Sequence, residues 1–98
     1  MASKPKPILA TIPGECYWCG KEGYTHLHHI FFGNGKRKVS DRLGFVCYLC
    51  PNCHEGTDGV HGRDGHIVDN ILKKTCQMKY EETHTREEFI QEIGRSYL

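Results

Sequence analysis

Hydrophobic positions in this chain fall in short clusters whose period changes along its length. In Thr25–Phe32 (THLHHIFF), Leu27, His29 and Phe31 alternate with His28 and Ile30. Alternation among β-branched and aromatic residues predicts a strand, with the adjacent His28 and His29 on opposite faces. Phe45–Leu49 (FVCYL) predicts a second short strand, on which Cys47 sides with Phe45 and Leu49 and reads as a buried thiol. The stretch between them, Gly33 to Gly44, is long, basic and glycine-punctuated, and predicts a hairpin with a large loop. After His54, Gly56, Asp58 and Gly59 argue against a helix until at least Val60. From Ile67 the period lengthens. Val68, Ile71, Leu72, Thr75 and Cys76 recur at helical spacing, with Asp69 near the start and Cys76 on the core stripe. A last helix opens at Thr85, where Glu88 three residues later completes a capping box; Phe89, Ile90, Ile93 and Tyr97 form its inner face and Gly94 lies near its close. Strands first and helices after predict an α+β domain.

The 98 residues allow one domain with one small core, a size at which a metal or disulfides often supply stability. Residues 1–14 hold three of the four prolines, besides Lys4 and Lys6, and read as an extended, mobile arm; the domain proper is 15–98. The formal net charge of +1 gives no general argument for a nucleic-acid partner. The local concentration of Lys36, Arg37, Lys38 and Arg42 does, if a phosphodiester site lies beside it. No apolar run is long enough to span a membrane, and the first residues lack the apolar core of a signal peptide. The expected location is therefore the cytoplasm, where disulfides do not persist, leaving the six cysteines as metal ligands or buried thiols.

Their spacing separates these roles. Cys16-Tyr17-Trp18-Cys19-Gly20 has the form of a zinc knuckle, in which a turn lets backbone amides donate to the thiolates; alone it also fits a redox pair. Cys50-Pro51-Asn52-Cys53 is its partner. Two such pairs predict a closed, four-thiolate structural zinc site on Cys16, Cys19, Cys50 and Cys53, clamping the ends of the intervening hairpin. Cys50 to His54 also fits the c-type haem attachment pattern, but that chemistry needs export and leaves the first pair unexplained.

His28-His29-Ile30 and then Leu49-Cys50-Pro51-Asn52-Cys53-His54, flanked by the Cys pairs, resemble the HNH endonuclease family, over about Cys16 to His61. The likeness is to its small four-cysteine members common in phage and prophage genomes. The C-terminal FIQEIGRSYL is similar, more weakly, to the tails of some phage HNH-like proteins. The resemblance implies a ββα-metal fold with C-terminal helices. It implies hydrolysis of DNA phosphodiester bonds to 5′-phosphate and 3′-hydroxyl ends, with low sequence specificity. It assigns His28 to a catalytic divalent metal (Mg²⁺, Mn²⁺, Ni²⁺ or Zn²⁺) and His29 to water activation, a role that suits an imidazole. His54 is the second metal ligand and His61 the choice for the third, with Asp58 and His66 as alternatives. Lys36, Arg37, Lys38 and Arg42 would meet DNA phosphates. Phage packaging or recombination proteins are the partners such a relative suggests. Where the family's central asparagine usually stands, this chain has Phe45, so a backbone carbonyl near Gly44 to Val46, or Asn34, would have to orient His29. The rival from another class is a zinc-ribbon-like module that binds nucleic acid or protein without chemistry; a third reading is an HNH protein that keeps the fold without activity. A pure zinc module has no use for His28, His29 or His54. His26, His66 and His84 read as ordinary, satisfied imidazoles.

Overall fold

The two predicted strands pair antiparallel as β1 (His26–His29) and β2 (Val46–Leu49), in the register His26↔Leu49, Leu27↔Tyr48, His28↔Cys47 and His29↔Val46. The computed structural model describes residues 6–33, 35–56, 59–62 and 65–98. Between the strands, where a loop was expected, Lys36–Leu43 forms the helix α1. The sequence KRKVSDRL contains no helix breaker, and Gly44 ends the helix in the left-handed conformation (φ 77°), its amide donating to the Ser40 carbonyl. Gly44 is also a close-approach residue: a Cβ there would lie 2.1 Å from the Lys6 carbonyl oxygen. After β2 come the short helix α2 (Pro51–Glu55), a glycine-rich loop, α3 (His66–Tyr80) and α4 (Arg86–Ile93). The result is a small α+β fold built on a two-stranded sheet.

The core gathers side chains of α3 and α4 with those of β2 and of the residues flanking the two strands. Phe31, Phe45 and Phe89 are fully buried and packed edge-on or tilted, with Tyr80 against Phe45 at 5.3 Å between ring centroids. Phe45 is thus an aromatic core residue, unable to do the hydrogen-bonding work of an asparagine. Cys47 and Cys76 are buried in the same core, as the pattern implied. Ile71 and Ile90 are not: they are 43% and 40% exposed, and Gln77 and Tyr80 take inner positions of α3 instead. Buried Gln77 is fully used. Its Nε2 donates to Glu81 and Ser96, and its Oε1 accepts from the Tyr97 amide at 2.7 Å, which ties the C-terminal residues to α3. The capping box forms as expected: the Glu88 amide donates to Thr85 Oγ1, and the Thr85 amide to Glu88 Oε1.

The described part of the proline-rich arm bends over Ile8 to Ala10 and is laid down on the domain rather than free. Leu9 is a core residue, the Ile8 amide donates to the Gly44 carbonyl, and Thr11 Oγ1 accepts from the Tyr48 amide. The Tyr17 amide also donates to the Tyr48 carbonyl, at 2.7 Å, so the arm and knuckle satisfy the outer edge of β2. Lys4 lies outside the described residues. Among those described, no helix is long and apolar enough to cross a membrane.

One buried hydroxyl fixes α1 to the end of β1. Ser40 Oγ donates to the Phe31 carbonyl at 2.6 Å and accepts from the Phe31 amide at 3.1 Å. Ser40→Ala leaves both backbone groups buried without partners, at about 1–3 kcal/mol each for an unmade bond of this kind. The expected result is a chemical-denaturation midpoint lowered by at least about 1 kcal/mol in unfolding free energy with unchanged m-value. A midpoint equal to wild type would show that α1 is held by other contacts.

Candidate metal centres and catalytic cleft

The knuckle and α2 bring the four predicted cysteines together. The ligand atoms of Cys16, Cys19, Cys50 and Cys53 all lie within 4.8 Å of one another, with Cys19 Sγ and Cys50 Sγ 3.8 Å apart. The Cys19 amide donates to Cys16 Sγ at 3.4 Å, the amide-to-thiolate contact expected of a knuckle. Burial acts to raise the Cys16 pKa, but backbone hydrogen bonds from Cys19, Cys50 and Trp18 outweigh it and bring it down to about 6. Burial and the neighbouring thiols push Cys53 the other way. Four sulfurs crowded together in this way suit a closed structural metal site such as zinc, which takes thiolates and no fifth partner. Cys47, pushed up to about 12 by burial, and Cys76, also raised by burial, remain protonated thiols apart from this cluster.

A second cluster lies on the inner side of β1. His28, His54 and His61 present ligand atoms within 4.8 Å of one another, and their ring centroids are 4.7–5.3 Å apart. Each is placed by a different device. His28 projects from the strand and is 1% exposed. His54 sits on α2, whose first turn is set by Pro51. His61 is folded back onto α2: its amide donates to the His54 carbonyl at 2.9 Å, and the Val60 amide to the Cys53 carbonyl at 2.8 Å. That tight return requires glycine. A Cβ on Gly65 would lie 1.8 Å from the Gly59 carbonyl oxygen, and one on Gly59 2.6 Å from that of Asn52. Of the alternatives for the third ligand, His66 is exposed at the start of α3 and outside the cluster, and Asp58 lies outside the described residues.

His28 carries the clearest sign that a ligand belongs there. Its Nε2 is buried with no hydrogen-bond partner among the described residues, a state that costs about 1–3 kcal/mol if nothing satisfies it. Burial first, and then His54 and His61, lower its pKa to about 3, so the ring is neutral and its lone pair free at ordinary pH. Burial and the neighbouring His61 and His26 lower the pKa of His54 as well. Neutral, crowded imidazoles fit a divalent metal.

His26, expected to be an ordinary satisfied imidazole, lies against this cluster too. Period two puts it on the same side of β1 as His28, and its Nδ1 lies 2.9 Å from His54 Nδ1. It also forms a close group with His54 and Glu55.

His29 faces elsewhere, as alternation predicts. Its Nε2 is bonded to Asp41 Oδ1 of α1 at 2.6 Å. His28, His29, His54 and His61 nevertheless line one cavity of about 210 Å³ with Leu27, Phe32 and Arg37. Among the basic residues, Arg37 reaches this cavity, Lys38 is exposed, Lys36 is half-buried, and Arg42 is ion-paired with Glu92 of α4. Of the backbone carbonyls expected as partners for His29, that of Gly44 accepts from Ile8 and that of Phe45 from Ile30. Asn34 lies outside the described residues.

No family model, curated protein or solved structure matches this chain. The geometry of the two clusters has to carry the functional reading by itself.

Proposed function

We propose that the protein is a metal-dependent DNA endonuclease of the HNH kind, stapled by zinc on its four clustered cysteines. The observation that carries this reading is the three-histidine cluster, with its orphaned His28 Nε2, opening onto the same cavity as His29 and Arg37. The antiparallel strands followed by α2 support a ββα-metal arrangement, here with α1 inserted between the strands and His61 supplied by a loop rather than a helix.

Phosphodiester hydrolysis needs an activated water, neutralised charge at phosphorus and a stabilised leaving oxygen. His28, His54 and His61 would hold a divalent metal, which would supply Lewis-acid stabilisation of negative charge. His29 takes the proton from water, and Arg37 sets a fixed positive charge where the phosphate enters. The deciding assay is relaxation of supercoiled plasmid by purified protein across Mg²⁺, Mn²⁺, Ni²⁺ and Zn²⁺, with EDTA as control. Metal-dependent nicking is expected. Its absence in every metal would favour a protein that keeps the fold without activity, a reading that Phe45 at the asparagine position also favours, or a zinc-ribbon-like binding module.

Exposed Lys38 and cavity-lining Arg37 are the phosphate contacts this reading favours over Arg42, already paired with Glu92. Replacing Arg37 and Lys38 together by alanine should weaken binding to unrelated DNA duplexes equally. The slope of log K against log salt should become shallower by about 1–2. Arg42→Ala should change it less. An unchanged slope in the double variant would place DNA on another face.

A further inference from the structure

We infer that Asp41 is the positioning residue for His29, holding the ring in its Nε2–H form so that Nδ1 is the nitrogen presented for proton transfer. The inference rests on the nuclease reading for its catalytic meaning, but the hydrogen bond exists independently of it. His29 Nε2 and Asp41 Oδ1 are 2.6 Å apart, within hydrogen-bond distance, with the Asp41 side chain 51% exposed. The His29 side chain is only 12% exposed, so its ring has little freedom to turn to another partner.

Asp41 is itself held in place. It follows Ser40, whose hydroxyl is bonded to both backbone groups of Phe31, two residues beyond His29. The helix register that Ser40 fixes therefore also fixes Asp41 against the ring. Arg37 lies four residues earlier, on the same side of α1, and lines the cavity that His29 enters. One face of α1 thus supplies both an orienting carboxylate and a cation to the cleft. Among the described residues, the Gly44 and Phe45 carbonyls accept from the Ile8 and Ile30 amides, and the Phe45 side chain is packed in the core.

An acceptor that carries charge does more than orient. With Asp41 Oδ1 accepting a hydrogen bond from Nε2–H, which keeps its proton, the Nδ1 lone pair takes a proton from water as the water oxygen bonds to phosphorus. The resulting imidazolium stays paired with the carboxylate, and the departing 3′ oxygen takes its proton from solvent. A carboxylate beside a polyanion does nothing for DNA affinity. Removing its charge should therefore separate turnover from binding.

The test uses the full-length, zinc-loaded protein. In plasmid nicking, Asp41→Asn and Asp41→Ala are expected to lose about 10–100-fold in kcat, as outer partners of functional histidines do, with KM and DNA affinity unchanged or improved. Asp41→Glu should recover part of the loss, which a merely structural role for α1 would not produce. Long-range proton–nitrogen spectra of the histidine rings, in mildly alkaline buffer, should show His29 protonated at Nε2 in the wild type and as a mixture of tautomers in Asp41→Ala. Wild-type kcat in Asp41→Ala, with His29→Ala inactive, would overturn the inference while leaving the nuclease reading intact. A wild-type His29 protonated at Nδ1 would overturn it as well. Should His29→Ala nick normally, the assignment of His29 as base fails, and the ring spectra alone still decide whether Asp41 locks the tautomer.

Discussion

Replacing Cys50 by alanine is expected to release one zinc per chain and to leave the domain unfolded or greatly weakened. Binding at a structural thiolate site contributes about 10–16 kcal/mol in small zinc domains. Typical whole-domain stability is only about 5–15 kcal/mol. The location of this site makes the dependence severe. Cys16 and Cys19 come from the N-terminal knuckle, Cys50 and Cys53 from the start of α2, and the backbone bonds that the knuckle makes outside itself run to Lys21 and Tyr48. Without the cluster, the knuckle loses its tie to α2, and His54 and His61, which hang on α2 and its return loop, lose their anchor. A loss of at least about 3 kcal/mol should lower Tm by about 12 °C or more in a domain of this size. Cys16→Ala, Cys19→Ala and Cys53→Ala should behave alike. Cys76→Ala is the control: that thiol is fully buried in the core, apart from the cluster, so the variant should keep its zinc. Elemental analysis and thermal melts of the five variants make the comparison. Wild-type protein that carries no zinc, and whose melt is indifferent to EDTA, would sink the structural-zinc assignment.

The parts of this fold that follow from repetition were legible in the sequence, and the parts that follow from tertiary closure were not. The Cys-x-x-Cys pairs converge because the strands between them run out and back, and the capping box at Thr85 forms because its two residues are local. The helix α1 was missed because its lysines and arginines read as a loop. Val39 and Leu43, four apart and both packed on the core, together with Gly44 as terminator, were the signal for it. Missing α1 hid Asp41, since only a helix puts position 41 beside the strand that carries His29. His26 was missed for a different reason: the period of two was applied to separate His28 from His29, but not carried back two residues to join His26 to His28. The glycines after His54 end α2, as their type predicts, yet their stronger role is close approach. At Gly59 and Gly65 a Cβ would strike the backbone that folds His61 onto His54. No sequence pattern states that, because the neighbouring backbone comes from a turn whose shape the pattern does not specify.

His29→Ala should abolish metal-dependent nicking while leaving fold, metal content and DNA affinity close to wild type, and the histidines around it should fail differently. Loss of a general base costs about 10²–10⁴-fold in rate. His29 is bonded to an exposed Asp41 and takes no part in the His28–His54–His61 cluster, so its removal disturbs neither the core nor the metal ligands. His28→Ala, His54→Ala and His61→Ala should instead reduce occupancy of the second metal site, with activity partly restored at high metal concentration. Of these, His28→Ala should be the most damaging to stability, because the ring is buried at 1% exposure; His61→Ala, at the exposed end of the cluster, should fold normally. His26→Ala leaves all three ligands present but frees His54 Nδ1, and should weaken the metal by about 10–100-fold, the usual effect of removing an outer partner of a ligating histidine. The measurements are supercoiled-plasmid nicking over a metal titration and the metal content beyond the first zinc equivalent. A His29→Ala protein that nicks like wild type would refute the assignment of the base. Ligand variants that bind the second metal equivalent at wild-type affinity would show that the three histidines are gathered for some purpose other than holding it.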